Sequence, residues 1–134
     1  MAKTILQTIQ FRNTDVSVLY NLYMDAKLHS VVTGGTAKIQ RKEGAKFSAY
    51  DNYCFGKNLQ LIPNQLIVQS WRAADWAAAD AESTFILLFE QTGKDATVYM
   101  THANVPGNQF KALKDGWNSF YWKPWKACLK NLKK

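Results

Sequence analysis

The sequence predicts an α+β fold: a curved antiparallel sheet of about six to seven strands wrapped around one long C-terminal helix, with two short helices after strand 1. Three patterns point to it. The middle of the chain alternates apolar and polar residues in runs separated by short polar turns: Glu43-Gly44, Asp51-Asn52, Pro63-Asn64 and Thr92-Gly93-Lys94-Asp95. Parallel strands need crossovers of a dozen residues or more, so turns this short join antiparallel neighbours. The last part of the chain changes to helical spacing and is rich in aromatic residues. An aromatic helix stripe must bury itself, and the only large partner available is the concave face of the sheet.

Taken in order, residues 4–11 are dense in β-branched side chains and read as a strand. Thr14 is a good N-cap, with Asp15 helping the first turn, for a helix over 15–24 on which Val18, Leu19, Leu22 and Tyr23 recur. A second helix over 25–32 ends at Gly34-Gly35, where left-handed backbone angles are cheap. Strands are expected at 36–41, 45–50, 52–62, 65–73, 82–91 and 95–103. Three alternating sets share one buried face: Ile67, Gln69 and Trp71; Phe85, Leu87 and Phe89; Val98, Met100 and His102. The last helix runs over 107–132. On it Phe110, Leu113, Trp117, Phe120, Tyr121, Pro124, Cys128 and Leu132 fall on one arc, while most lysines, and Trp122 with them, fall on the other. Pro124 predicts a kink near 120–124.

With 134 residues the chain fits a single domain over 1–134; two would each be too small to bury a good core. An apolar content of 47% excludes disorder. The longest strongly apolar run, Phe85 to Phe89, is far short of the ~20 residues of a membrane helix. The N-terminus alternates polar and apolar residues and lacks a signal peptide's apolar core, so the expected compartment is the cytoplasm. Cys54 and Cys128 form no spaced pair and read as buried thiols. His29 and His102 have no metal-ligand spacing, and no phosphate loop or nucleotide fingerprint occurs, so neither metal nor cofactor is expected.

The net charge is +7, and residues 106–134 hold seven lysines against the single acid Asp115. Such a face is either simply solvated or attracts nucleic acid, an anionic membrane or an acidic partner protein. Nucleic-acid readers add interleaved aromatics or a recognisable motif; Trp122 alone is thin support for that class.

Several segments resemble a known family when taken in order: Gly34-Gly35, Gly44-Ala-Lys-Phe47, Gly56-Lys-Asn-Leu59-Gln-Leu61-Ile-Pro63-Asn64, Ile67-Val-Gln-Ser-Trp71-Arg72, Ser83-Thr84, Thr101-His102 with Val105-Pro106, and Gly116-Trp117 with Tyr121-Trp122. Together they look like the family named after the activator of heat-shock protein 90 ATPase. That family belongs to the START, birch-pollen-allergen and polyketide-cyclase (SRPBCC) superfamily. The resemblance runs from about residue 4 to residue 132. It implies a helix-grip fold with a cavity between sheet and helix, and a link to chaperones and the stress response. It is to the C-terminal domain of the eukaryotic co-chaperone; the separate N-terminal domain that carries most of the chaperone stimulation has no counterpart in these residues.

Three functions follow as expectations. The first is binding of a hydrophobic or amphipathic small molecule in the cavity by Phe47, Phe55, Gln69, Trp71, Phe85, Met100, His102, Trp117 and Tyr121. Here tryptophan N–H and glutamine amide groups would orient what the rings hold. The alternative is a chaperone-associated interaction domain using Lys123, Lys126 and Lys130. The second alternative is a cyclase- or lyase-like enzyme with His102 and Tyr121 as proton handlers. No serine, cysteine or carboxylate is tied to His102 by a motif, which weighs against catalysis. Tyr121, within an apolar stripe, needs a polar partner when buried: His102, water or ligand. Trp76, alone among alanines, caps the cavity mouth, touches a partner or folds back onto the sheet.

Overall fold

The computed structural model describes residues 1–132. The elements are β1 (Lys3–Phe11), α1 (Val16–Met24), α2 (Ala26–Thr33), β2 (Lys46–Ala49), β3 (Cys54–Ile62), β4 (Leu66–Ala73), β5 (Ser83–Thr92) and β6 (Asp95–Val105). They are followed by α3 (Phe110–Trp117), a π-helical turn (Asn118–Trp122) and α4 (Lys123–Leu132). Strand order across the sheet is β1-β6-β5-β4-β3-β2, with every pairing antiparallel. The chain thus leaves the sheet at one edge and re-enters at the other, and α1 and α2 carry it across. The inner face holds the three expected alternating sets, all buried from Ile67 to His102. One row crosses nearly the whole sheet: Asn58, Gln69, Phe85, His102 and Ile5 are successive partners. At Gly56 strand β3 comes so close to β4 that an added Cβ would lie 1.8 Å from the Ser70 carbonyl oxygen.

Three local expectations are corrected. Residues 36–41 form no strand, only a single bridge between Lys38 and Ser48. The carbonyls of Gln40 and Lys42 turn inward to accept from the Asn58 side chain, so they are not presented to a neighbouring strand. Thr14 does not cap α1: its hydroxyl donates to the Arg12 carbonyl, Asp15 takes the N-cap position, and the Val16 N–H donates to the Gln91 side chain. The end of α2 is as expected, with Gly34 at φ 85°.

The third correction concerns the C-terminal helix. Leu113, Trp117, Tyr121, Trp125 and Leu129 are all buried. They are spaced strictly by four, and in an α-helix each such step overshoots a full turn by about 40°. The wider π-turn cancels the accumulated drift and re-aims α4. Trp122, Trp125 and Leu129 therefore face inward, with Trp122 donating to the Gln7 side chain, while Phe120 is 55% exposed. Pro124 and Cys128 are half-buried, and both cysteines are free thiols. The side chain of Leu132 lies outside the described residues. The irregularity does fall near 120–124. In an α-helix the Phe120 carbonyl would accept from residue 124, and proline has no N–H; the Tyr50 hydroxyl donates to that carbonyl at 2.8 Å.

A candidate ligand cleft

Tyr50 sits in a tight left-handed turn between β2 and β3. Tyr50, Asp51 and Asn52 have φ of 49°, 55° and 71°, a costly conformation for residues with side chains. Packing holds it there. The Tyr50 ring stands edge-on to both Phe120 and Tyr121. The turn lies so close to Gly35 that a Cβ there would be 2.9 Å from the Tyr50 Cα. The Asp51 N–H donates to the Thr36 carbonyl, and the Thr36 N–H to the Asp51 carboxylate.

Between this turn, β4 and the C-terminal helix lies an open cleft of about 390 Å³. Tyr50, Tyr53 and Cys54 form one wall, Trp71 the sheet side, and Leu113, Gly116, Trp117, Phe120 and Tyr121 the helix side. Among the described residues no charged side chain lines it. Burial pushes the Tyr50 hydroxyl and the Cys54 thiol each up to about 12, so both stay protonated at neutral pH and neither is an activated nucleophile. The Tyr50 and Tyr121 hydroxyls are already committed to the Phe120 carbonyl and to His29. The Trp71 indole N–H is buried with no partner among the described residues.

Behind the cleft the polar groups form two closed chains. Trp117 Nε1–H donates to His102 Nδ1 at 3.1 Å. An indole nitrogen can only donate, so His102 Nδ1 is unprotonated and Nε2–H donates to Ser83 Oγ at 2.7 Å. The Ser83 hydroxyl in turn donates to the Trp71 carbonyl. His29 holds the opposite tautomer. Its Nδ1–H donates to the Tyr23 carbonyl, and its Nε2 accepts from the Tyr121 hydroxyl at 2.9 Å. Tyr23 donates to Gln69, and Gln69 to Asn58. Desolvation lowers both histidines, His102 to about 3. Each histidine therefore stays neutral and holds one aromatic residue of the helix, Trp117 or Tyr121, against the body of the protein.

Of the residues expected to bind ligand, Trp71, Trp117 and Tyr121 line the cleft. Phe47, Gln69, Phe85, Met100 and His102 are buried but do not line it; Phe85 stacks on Trp117 at 4.4 Å. Phe55 is corrected: it is 39% exposed, because the alternation of β3 sends Cys54 inward and Phe55 outward. Sequence reasoning missed Tyr50, Tyr53, Leu113, Gly116 and Phe120 as cleft residues, and His29 as the partner of Tyr121. The two tyrosines flanking the Asp51-Asn52 turn were the available signal. Trp76 folds back against Trp71, with ring centroids 5.6 Å apart, under an Arg72 side chain that donates to the Ala77 and Asp80 carbonyls. Lys123, Lys126 and Lys130 are exposed along α4. Among the described residues no group of three potential ligands could hold a metal ion, and no helix is long and apolar enough to cross a membrane.

A curved antiparallel sheet closed around a C-terminal helix, with an apolar cleft between them, is a helix-grip domain. Residues 13–133 match the family model described as "Activator of Hsp90 ATPase homolog 1-like protein", and the chain belongs to that family. An "Activator of 90 kDa heat shock protein ATPase homolog" of Dictyostelium discoideum is 29% identical over 99 residues, covering 73% of this chain and 26% of the relative. The human "Activator of 90 kDa heat shock protein ATPase homolog 1" is 24% identical over 108 residues, covering 81% and 32%. The chain thus spans between a quarter and a third of the length of these relatives. The crystal structure of an HSP90 activator from Plasmodium falciparum superposes with a TM-score of 0.87 at 24% identity, covering 95% of this chain and 96% of that one, and shares its fold.

Proposed function

We propose that this domain binds an uncharged, apolar or amphipathic small molecule in the cleft and holds it without chemical conversion. The observation that carries this is the cleft of about 390 Å³ walled by Tyr50, Trp71, Trp117, Phe120 and Tyr121, with no charged side chain among the described residues of its lining. A charged ligand would lose its hydration there with nothing to replace it, whereas a flat apolar one exchanges water for rings. The two proton handlers expected for a cyclase- or lyase-like reaction, His102 and Tyr121, are engaged elsewhere. Both nitrogens of His102 are committed, and so is the Tyr121 hydroxyl.

The test is a thermal-shift and tryptophan-quenching screen of apolar aromatic and lipid compounds, beside Gly116→Phe. A Cβ at Gly116 meets only the Phe120 ring, at 3.6 Å, so a phenylalanine has room to enter the cleft. Hits that raise the melting temperature of the native protein and vanish in Gly116→Phe are expected. A flat response across the library, or hits that bind Gly116→Phe equally well, overturns the reading.

A second reading is favoured by the exposed Lys123, Lys126 and Lys130 and by what the relatives are called. Here α4 contacts a chaperone or another acidic protein, in the cytoplasm. Salt-sensitive capture of heat-shock protein 90, weakened by changing the three lysines to glutamate, is the expected result; capture unchanged by the triple substitution removes it.

A further inference from the structure

A second groove, of about 350 Å³, runs between the end of β1 and α4. The buried Phe11 and Leu129 make its floor, and Arg12, Lys126 and Lys130 line it with positive charge. Among the described residues no carboxylate lines it. Lys126 lies over the Phe11 ring, its Nζ 5.8 Å from the ring centroid, so its stem covers the apolar floor while its charge stays in water. Lys123, Lys126 and Lys130 follow at intervals of three and four along α4. At that spacing like charges weaken a helix by about 0.2–0.5 kcal/mol per pair. Among the described residues none of the three lysines joins an ion pair; the one salt bridge there joins Arg41 and Asp25.

We propose that this groove docks an acidic segment of a partner protein, its carboxylates against Lys126 and Lys130 and one apolar side chain on Phe11 and Leu129. Charge complementarity selects the occupant: a lysine rim with no carboxylate among the described residues, over a floor that rewards an apolar anchor. A nucleic acid fits less well. Trp125 of this helix and Trp122 just before it are 0% and 2% exposed, so they offer bases no ring to stack on. Lys123 to Lys130 spans only about 10 Å of helix, too short a track for many phosphates. The groove is separate from the cleft. It rests on the protein-interaction reading only in sharing Lys126 and Lys130, and an assay without a chaperone separates the two.

The probe is a fluorescein-labelled peptide of aspartate and glutamate with one central leucine, followed by fluorescence polarisation. Native protein should bind it, several-fold more weakly when salt rises from about 50 to about 300 mM. Lys126→Glu with Lys130→Glu should weaken binding by about tenfold or more, equivalent to about 1.4 kcal/mol. The charge-matched pair Lys111→Glu with Lys114→Glu, on the exposed side of α3, should change it less than about twofold. Replacing the peptide's leucine with serine should weaken binding by about threefold or more. All four lysines are exposed, and Lys126→Gln with Lys130→Gln decides the matter should the glutamate pair fail to fold. No binding by the native protein, equal loss in both lysine pairs, or tighter binding of a single-stranded DNA of equal charge would each overturn the proposal.

Discussion

Trp117 and Tyr121 belong to two regions at once, and the contrast between those regions separates scaffold from site. On the sheet and α2 side both residues are locked. The indole of Trp117 donates to His102 and the phenol of Tyr121 to His29, and hydrogen bonds continue from His102 through Ser83 to the Trp71 carbonyl and from Tyr23 through Gln69 to Asn58. On the other side the same two rings face an open cleft whose polar groups are few. A buried network that is fully satisfied rigidifies what it holds. An apolar wall left open has surface still to bury. The closed region therefore fixes the angle of the helix, and the open region is where a ligand gains most.

The largest effect should come from the closed region. His102→Ala leaves the Trp117 N–H and the Ser83 hydroxyl short of a partner and opens a hole beside Phe85, whose ring is 5.5 Å from the imidazole. A loss of about 3–5 kcal/mol in urea unfolding is expected. A loss below about 1 kcal/mol would show that the network does not hold the helix.

The same region sets a pH dependence. Both histidines are lowered by burial, His102 from 6.5 to about 3. Between those values the unfolded chain binds more protons than the folded one, so unfolding free energy rises with pH. Stability is complete above about pH 6.5 and is lost as the pH falls toward 3, with His102 contributing up to about 1.4 kcal/mol per pH unit. Chemical denaturation between pH 7 and pH 4 should show this slope, and it should shrink in His102→Ala; a profile level down to pH 4 would contradict the neutral, buried histidines.

The smallest effect should come from the mouth of the cleft. Tyr50→Phe keeps the ring and removes the hydroxyl with its hydrogen bonds to the Phe120 carbonyl and the Thr33 side chain, and about 1 kcal/mol is expected. Because Tyr50 bridges the β2–β3 turn to the helix, its loss should shorten the residence time of any cleft ligand in stopped-flow release more than it lowers the melting temperature. The opposite ranking would make Tyr50 part of the scaffold.

Much of this fold was legible in the order of residues, because it depends on local rules. Period-2 alternation placed Ile67, Gln69, Trp71, Phe85 and Met100 on the buried face, and the glycine pair ended α2 at Gly34. What was not legible depends on groups far apart in the chain. The inner face of a sheet does not say which residues border an opening: Phe47 and Met100 are core, while Tyr50 and Tyr53 reach the cleft only through the turn between two strands. A periodic arc assumes a constant turn angle, so it could not anticipate a π-turn that exposes Phe120 and buries Trp125. Nor could spacing pair His29 with Tyr121, 92 positions apart. Chain order carries the alternation that makes the strands, the short turns that join them and the lysine content of the last helix, because each arises between near neighbours. Packing alone chose the cleft and the protonation of both histidines, because each is a balance of desolvation and hydrogen bonding among side chains that meet only after the sheet has closed on the helix.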